Sequence, residues 1–185
     1  MKRFLNCALA VSTLAASILA TPVLAQPAPP PMTKGPAGPN PPVAITPDKE
    51  IPFDQAMDAA RTAMDFCLAL PKKSAAVVMV VDLNGNIRVQ LSPDGTGLPF
   101  YDYARRKAYT TLKKQMPSGE FGAQPQIAAL PRGAVLEGDP ELITFPGALP
   151  IKKGGVIIGA LAVSGPTGGG DDLKCTQAGM AKFHL

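Results

Sequence analysis

The stretch AAVVMVVDLNGNIRVQL, residues 75–91, decides the fold of this chain. Its first part, residues 75–81, is a continuous apolar run rich in β-branched residues, which is typical of a strand buried on both faces. Asn84 and Gly85 supply the residues that a tight turn with positive φ requires. Residues 87–91 then alternate between apolar and polar side chains, as a strand buried on one face does. The stretch therefore predicts a β-hairpin.

A second hairpin is predicted near the end of the chain. Residues 149–152 and the long apolar run 156–164 flank the turn sequence Lys-Gly-Gly at positions 153–155. A glycine-containing turn between two such runs favours an antiparallel pair. Residues 142–145 form a further candidate strand, which is short.

Three helices accompany the hairpins. Apolar residues recur at helical spacing in residues 53–70 and 100–116, each ended by a proline, and a last helix is expected over residues 171–183. Residues 92–99 are expected to form a loop, and residues 117–140 predict no regular element. The order helix, hairpin, helix, hairpin, helix predicts an antiparallel sheet covered by helices, which is an α+β domain.

The charge of the chain argues against nucleic-acid binding. The net charge of +4 includes Lys2, Arg3 and Lys34, whereas residues 48–185 carry 15 basic and 14 acidic side chains, a net charge of +1. The chain contains no Trp, and 5% of its residues are aromatic, so base-stacking platforms are few. A nearly neutral domain lacks the basic surface that binds a phosphate backbone.

Residues 1–25 have the organisation of a signal peptide. Lys2 and Arg3 form a positive start, residues 4–19 are uncharged and mostly apolar, and small residues occupy positions expected for cleavage before residue 26. This pattern predicts export to the periplasm or secretion, with no membrane span after cleavage. The alternative is a retained anchor, but the run is shorter than the roughly 20 residues that a spanning helix needs.

Residues 26–47 contain nine prolines, one charge and no aromatic side chain. Such a segment buries too little apolar surface to offset the entropy of ordering, so we predict a disordered, polyproline-like linker. A ligand for a proline-binding groove is the alternative. Residues 48–185 then form one domain of ordinary size.

Several motifs of this domain resemble the GlcG/HbpS-like haem-binding family, also called the haem-degrading domain family. Their order and spacing agree over residues 53–181, and they are VDLNGN at 81–86, ARRKAYT at 104–110, FPGALPI at 145–151 and GVIIGA at 155–160. The resemblance implies a profilin-like, GlcG-like fold: a five-stranded antiparallel sheet flanked by helices. It also implies haem as cofactor and a homo-oligomer.

The resemblance implies a set of haem-binding residues. Arg105 and Lys107 belong to the basic motif at 104–110, where they could receive haem propionates, although a solvated charge run needs no ligand. Iron also needs an axial donor. The candidates are His184, the only histidine of the chain and our predicted metal ligand, together with Tyr101, Tyr103, Tyr109 and Met79.

Three functions follow from these residues, in decreasing order of support. The first is an exported protein that binds haem or a small tetrapyrrole for scavenging, storage or sensing. The second is an interaction or sensor module of the same fold that contacts another exported or membrane protein without haem. The third is a haem-degrading enzyme, which ranks last because no catalytic residues converge in the sequence.

Two cysteines, Cys67 and Cys175, remain after removal of the signal peptide. They lie in the first and last predicted helices, which the family fold would place together. Two such thiols usually pair in an oxidising compartment, whereas two separately buried thiols are the alternative.

Overall fold

A computed structural model of the chain describes residues 50–71, 75–131, 134–165 and 167–185. The predicted signal peptide and the predicted proline-rich linker lie outside these residues. Among the described residues, no helix is both long enough and apolar enough to cross a membrane.

The described residues form an α+β domain, as predicted. Its elements in chain order are α1 (Phe53–Ala69), β1 (Val77–Asp82), β2 (Ile87–Leu91), α2 (Leu98–Lys114), α3 (Ser118–Ala123), α4 (Pro125–Ala128), β3 (Ala148–Lys153), β4 (Val156–Ser164) and α5 (Gly169–Met180). Helix α2 begins two residues earlier than expected. Pro99 fits its first turn because the amide groups there need no partner within the helix.

Both predicted hairpins are confirmed, and they meet in one sheet of order β2-β1-β4-β3. All three pairings are antiparallel, with Val80 opposite Val89 between β1 and β2, and Val81 opposite Ala160 between β1 and β4. Strands β1 and β4 are therefore central. This position explains why their sequences are apolar almost throughout, since both of their faces are covered.

Within the described residues the sheet has four strands, so the expected fifth strand is wrong. The candidate strand at residues 142–145 lies against α2 instead. Its backbone groups bond to side chains of that helix: Ile143 N–H donates to Thr110 Oγ1 at 2.9 Å, and Arg106 Nη2 donates to Leu142 O at 3.1 Å. These bonds satisfy polar groups that a neighbouring strand would otherwise have used. The adjoining segment, expected to be irregular, contains the short helices α3 and α4.

The two faces of the sheet are covered by different helices. Val78 and Val80 of β1 face one core with the alanines of α1 and with Cys175 of α5. Val77 and Met79 face a second core with Ala104 and Ala108 of α2. The alternation follows from the two-residue period of a strand.

Helices α1 and α5 pack closely and are joined covalently. Gly179 of α5 permits the approach, since a Cβ there would lie 2.6 Å from the carbonyl oxygen of Ala59. A disulfide links Cys67 of α1 to Cys175 of α5, with the two Cα atoms 5.4 Å apart. Of the two alternatives left by the sequence, the structure contains the bridge.

Candidate ligand-binding groove

A groove of about 420 Å³ lies between α2 and the turn that joins β1 to β2, and we call it the α2 groove. Its floor is apolar and its α2 side carries two cations. The lining residues are Val81, Leu83, Asn84, Gly85, Arg105, Ala108, Tyr109, Leu112 and Lys113.

The helical period explains how α2 builds one wall of this groove. Arg105, Tyr109 and Lys113 are spaced four residues apart, so they form one stripe along the helix. Ala104 and Ala108 lie beside this stripe and pack on the sheet. The small alanines hold α2 close to the sheet while the longer polar residues border the groove.

Arg105 is a charged residue at the edge of the groove, with its side chain 48% exposed. Its guanidinium group lies 2.5 Å from a carboxylate oxygen of Glu141 and 2.9 Å from one of Asp102. The hydrogen bond to Glu141, followed by the one to Asp102, raises the pKa of Arg105 above its ordinary value. The guanidinium group therefore remains fully charged, and it already binds carboxylates.

Lys113 and Tyr109 share a second carboxylate, that of Asp139. The Lys113 ammonium group contacts this carboxylate and donates to Tyr109 Oη at 3.1 Å, while Tyr109 Oη donates to Asp139 at 2.8 Å. The bond from Lys113 is the main reason why the pKa of Asp139 falls to about 2. The bond to Asp139 likewise raises the pKa of Lys113.

Lys107, which the family resemblance placed among the propionate-binding residues, does not line the α2 groove. Two residues after Arg105, it is rotated by roughly 200° around the helix and enters the interior. Its side chain is 2% exposed, and its ammonium group lies 2.6 Å from Asp172 Oδ2 and 2.9 Å from Val163 O. Burial lowers the pKa of Lys107 and raises that of Asp172. A side chain in this position is inaccessible to a propionate, so we assign it a structural role.

Gly147 lies against this buried ion pair. Its φ of +127° is a backbone conformation that favours glycine, and a Cβ there would lie 2.9 Å from Lys107 Nζ and 2.8 Å from Asp172 Cβ. Thr176 Oγ1 donates to the Gly147 carbonyl oxygen at 2.8 Å. The motifs at 104–110 and 145–151 thus meet in a buried polar cluster.

The three tyrosines lie in three different surroundings. Tyr101 hydrogen-bonds to Ser92 at 2.7 Å, and Tyr103 packs edge-on against Phe145 with ring centroids 6.1 Å apart. Tyr103 and Phe145 line a second groove, of about 590 Å³. Of the three tyrosines, Tyr109 is the one that lines the α2 groove.

His184 and Met79 do not line the α2 groove either. His184 is exposed, and its backbone N–H donates to Gln55 Oε1 of α1 at 2.9 Å, on the side of the sheet opposite α2. Met79 is 1% exposed and is enclosed in the core beneath α2. Over the described ranges, no group of three or more His, Cys, Asp or Glu side chains is arranged to hold a metal ion.

Lys113 is the charged lining residue of the groove that was not among the candidates predicted from the sequence. It follows Arg105 by eight residues, and this spacing alone indicates the same helix face. What the spacing does not reveal is which surface that face borders.

The fold and the groove place the chain in a class of small α+β domains in which helices cover both faces of one antiparallel sheet. Residues 51–181 match the family described as haem degrading protein HbpS-like, and the chain belongs to that family. The family resemblance seen in the sequence is therefore confirmed.

Individual relatives agree with this assignment. A 15.0 kDa protein of the dhaT-dhaS intergenic region of Citrobacter freundii is 31% identical over 110 residues, which are 60% of this chain and 78% of the relative. A double mutant of HbpS from Streptomyces reticuli is 29% identical, with a TM-score of 0.62 over 74% of this chain and 88% of its own. The PduOC domain, solved as a haem complex, is 24% identical with a TM-score of 0.62, over 72% of this chain and 95% of its own, and shows the fold.

Proposed function

We propose that this domain binds haem, or a closely related tetrapyrrole, in the α2 groove. The observation that carries the proposal is the arrangement of Arg105 and Lys113 on one stripe of α2 beside an apolar floor. Haem combines a flat apolar ring with two propionates, and such a groove offers partners for both parts. Membership of the HbpS-like family supports the same ligand. The PduOC complex illustrates a domain of this fold that holds haem.

The residues of the groove suit the chemistry of this ligand, and the groove has the volume of an ordinary small-molecule site. The groove volume of about 420 Å³ lies within the range of roughly 300–1,000 Å³ that is usual for small-molecule sites. Leu83, which is 40% exposed, and Leu112 would contact the ring over a floor that includes Val81 and Ala108, and the two cations would bind the propionates. Bound haem would supply an iron that takes a donor from the protein, and the phenol oxygen of Tyr109 is the donor that this groove would offer.

We propose binding rather than turnover as the role of the site. Arg105 and Lys113 suit the binding and orientation of an anionic ligand. Without a ligand, both form ion pairs with carboxylates of the chain itself. Scavenging, storage and sensing all require such a site. Degradation is tested by adding a reductant to the haem complex and following loss of the Soret band together with product formation.

The proposed function includes export and assembly. The signal-peptide pattern of residues 1–25 and the Cys67–Cys175 disulfide both suit an oxidising compartment. Cell fractionation followed by N-terminal sequencing tests export, with a mature start at residue 26 as the expected result. Light scattering of the purified domain tests the homo-oligomer, and a monomer with and without hemin would contradict it.

A hemin titration of the mature domain, followed by its Soret band, tests the site. Replacing Arg105 and Lys113 together by Ala should weaken binding by about tenfold or more, because both propionates lose a charged partner. Lys174→Ala is the matched control, since Lys174 is also an exposed, ion-paired lysine but belongs to α5. Equal affinity of the wild-type protein, the double variant and the control would show that haem binds outside the α2 groove.

The axial donor is tested separately. Tyr109→Phe should change the ligand-field absorption bands of the ferric complex, whereas His184→Ala should leave them unchanged. The opposite result would assign the iron to His184 and remove haem from the α2 groove. If hemin gives no saturable Soret shift at all, the domain is instead an interaction module of the same fold.

A further inference from the structure

Three acidic side chains on one short segment are paired with three cations of α2. The segment is Glu-Gly-Asp-Pro-Glu, residues 137–141, and we call it the acidic strap. The pairs join Glu141 to Arg105, Asp139 to Lys113 and Glu137 to Lys114. Two of these cations, Arg105 and Lys113, are those of the α2 groove.

The backbone of the strap is held independently of those two cations. Arg106 lies beside Arg105 on α2 and donates to the carbonyl oxygens of Pro140 at 2.6 Å and of Glu141 at 3.3 Å. A third bond runs to Leu142 O at 3.1 Å. The strap can therefore remain attached to α2 while its carboxylates leave Arg105 and Lys113.

The two ion pairs at the groove are also suited to exchange. The Arg105 and Glu141 side chains are 48% and 41% exposed, and Lys113 is 45% exposed, while Asp139 is 16% exposed. An ion pair with the access to water of Arg105 and Glu141 contributes little net stability, and the pair of Lys113 and Asp139 is accessible to water from the lysine side. A carboxylate brought by a ligand can replace a strap carboxylate without leaving either cation unpaired.

We propose that the acidic strap is an internal competitor of the ligand: the two cations make the α2 groove selective for a flat apolar molecule with two carboxylates, and the strap lowers the affinity of the groove for that molecule. One ligand carboxylate takes the place of Glu141 at Arg105, and the other takes the place of Asp139 at Lys113. This inference rests on the proposed function of the groove. A ring without carboxylates would leave both internal pairs closed and would gain contact with the apolar floor alone.

The test uses the iron-free probes protoporphyrin IX and its dimethyl ester, followed by porphyrin fluorescence in one detergent-containing buffer. The wild-type protein should bind the diacid about tenfold more tightly than the diester. The double variant Asp139→Asn, Glu141→Gln should bind the diacid about fivefold to tenfold more tightly than wild type, because its competitors are uncharged. Its affinity for the diester should not change.

Glu137→Gln is the matched control, because Glu137 pairs with Lys114, which does not line the α2 groove. Glu141→Gln alone provides a second variant that leaves the bonds of Asp139 to Tyr109 intact. Circular dichroism verifies that each variant is folded. The Glu141 N–H donates to Asp139 Oδ1 at 2.9 Å, so amide hydrogen exchange at Glu141 should also increase when the diacid binds to the wild-type protein.

The outcomes separate this inference from the proposed function. If the diacid binds to wild type but binds the strap variants equally or more weakly, the strap is not a competitor, although the groove remains the ligand site. Equal binding of diacid and diester would also overturn the proposed selectivity. If neither the wild-type protein nor the strap variants bind any porphyrin or hemin, the proposed function itself fails and the strap inference fails with it.

Discussion

Lys107 Nζ lies 2.6 Å from Asp172 Oδ2, and the two side chains are only 2% and 3% exposed. Lys107 belongs to α2 and Asp172 to the first turn of α5, so the pair joins helices that cover opposite faces of the sheet. Asp172 also lies where the amide groups of a helix start favour negative charge.

Breaking this pair from one side should destabilise the domain strongly. Lys107→Met leaves the Asp172 carboxylate buried without its cation, and we expect the free energy of unfolding to fall by about 3 to 5 kcal/mol. Urea denaturation measures the loss. Lys174→Met, at an exposed ion pair, should cost less than about 1 kcal/mol and serves as the control. Similar losses in both variants would contradict a structural role for the buried pair.

Gly147→Ala should be among the more damaging small substitutions in the domain. The new Cβ would lie 2.6 Å from Val163 O, in a backbone conformation at φ +127° that L side chains rarely adopt. Strain and overpacking together should cost about 3 kcal/mol or more. Gly154→Ala provides the comparison, since Gly154 has φ +56° and no atom within 4 Å of the new Cβ. It should cost about 1 to 2 kcal/mol, and an equal loss at both sites would exclude the clash as the cause.

Removing the Cys67–Cys175 disulfide should lower stability by about 2 to 5 kcal/mol, because the bridge restricts the unfolded chain across a separation of 108 residues. The expected result is a lower urea midpoint for the wild-type domain in the presence of a reductant. A variant with both cysteines replaced by Ala should show the lower midpoint with or without reductant. A wild-type midpoint insensitive to complete reduction would show that the bridge contributes nothing.

Asp139 should make stability depend on pH in the acidic range. Its pKa falls from 3.8 to about 2 in the folded protein, chiefly through Lys113, so the unfolded chain takes up a proton first as the pH decreases. The contribution of this carboxylate is therefore present above about pH 4 and is lost as the pH falls through about 2. Urea denaturation from pH 5 to pH 2 should show a steeper decline for wild type than for Asp139→Asn. Parallel curves would show that the strap carboxylate does not stabilise the fold.

The hairpins and the long helices were predictable because their signals are local. Asn84 and Gly85 determine a turn by their own conformational preferences, and the spacing of the apolar residues selects a strand or a helix. The strand prediction for residues 142–145 was wrong because local signals do not decide the structure there. Whether such a short apolar segment joins a sheet depends on which groups hydrogen-bond to its backbone. Here the side chains of Thr110 and Arg106 of α2 form those hydrogen bonds in place of a neighbouring strand.

The candidate site was only partly predictable. Arg105 was singled out by the family motif, and Lys113 could have been found from its spacing along α2. The burial of Lys107 was not predictable, because a charged residue in a basic run is ordinarily solvated and its buried partner, Asp172, is 65 residues away in the sequence.

The sequence by itself therefore determined the α+β class, the two hairpins and membership of a family, since these depend on periodicity, turn residues and motif order. Only the tertiary structure decided that Arg105 and Lys113 border one groove while Lys107 is buried in the interior. It also showed that the acidic strap occupies both groove cations. Ion pairs between residues far apart in the sequence depend on the tertiary fold, and no local pattern of residues predicts them.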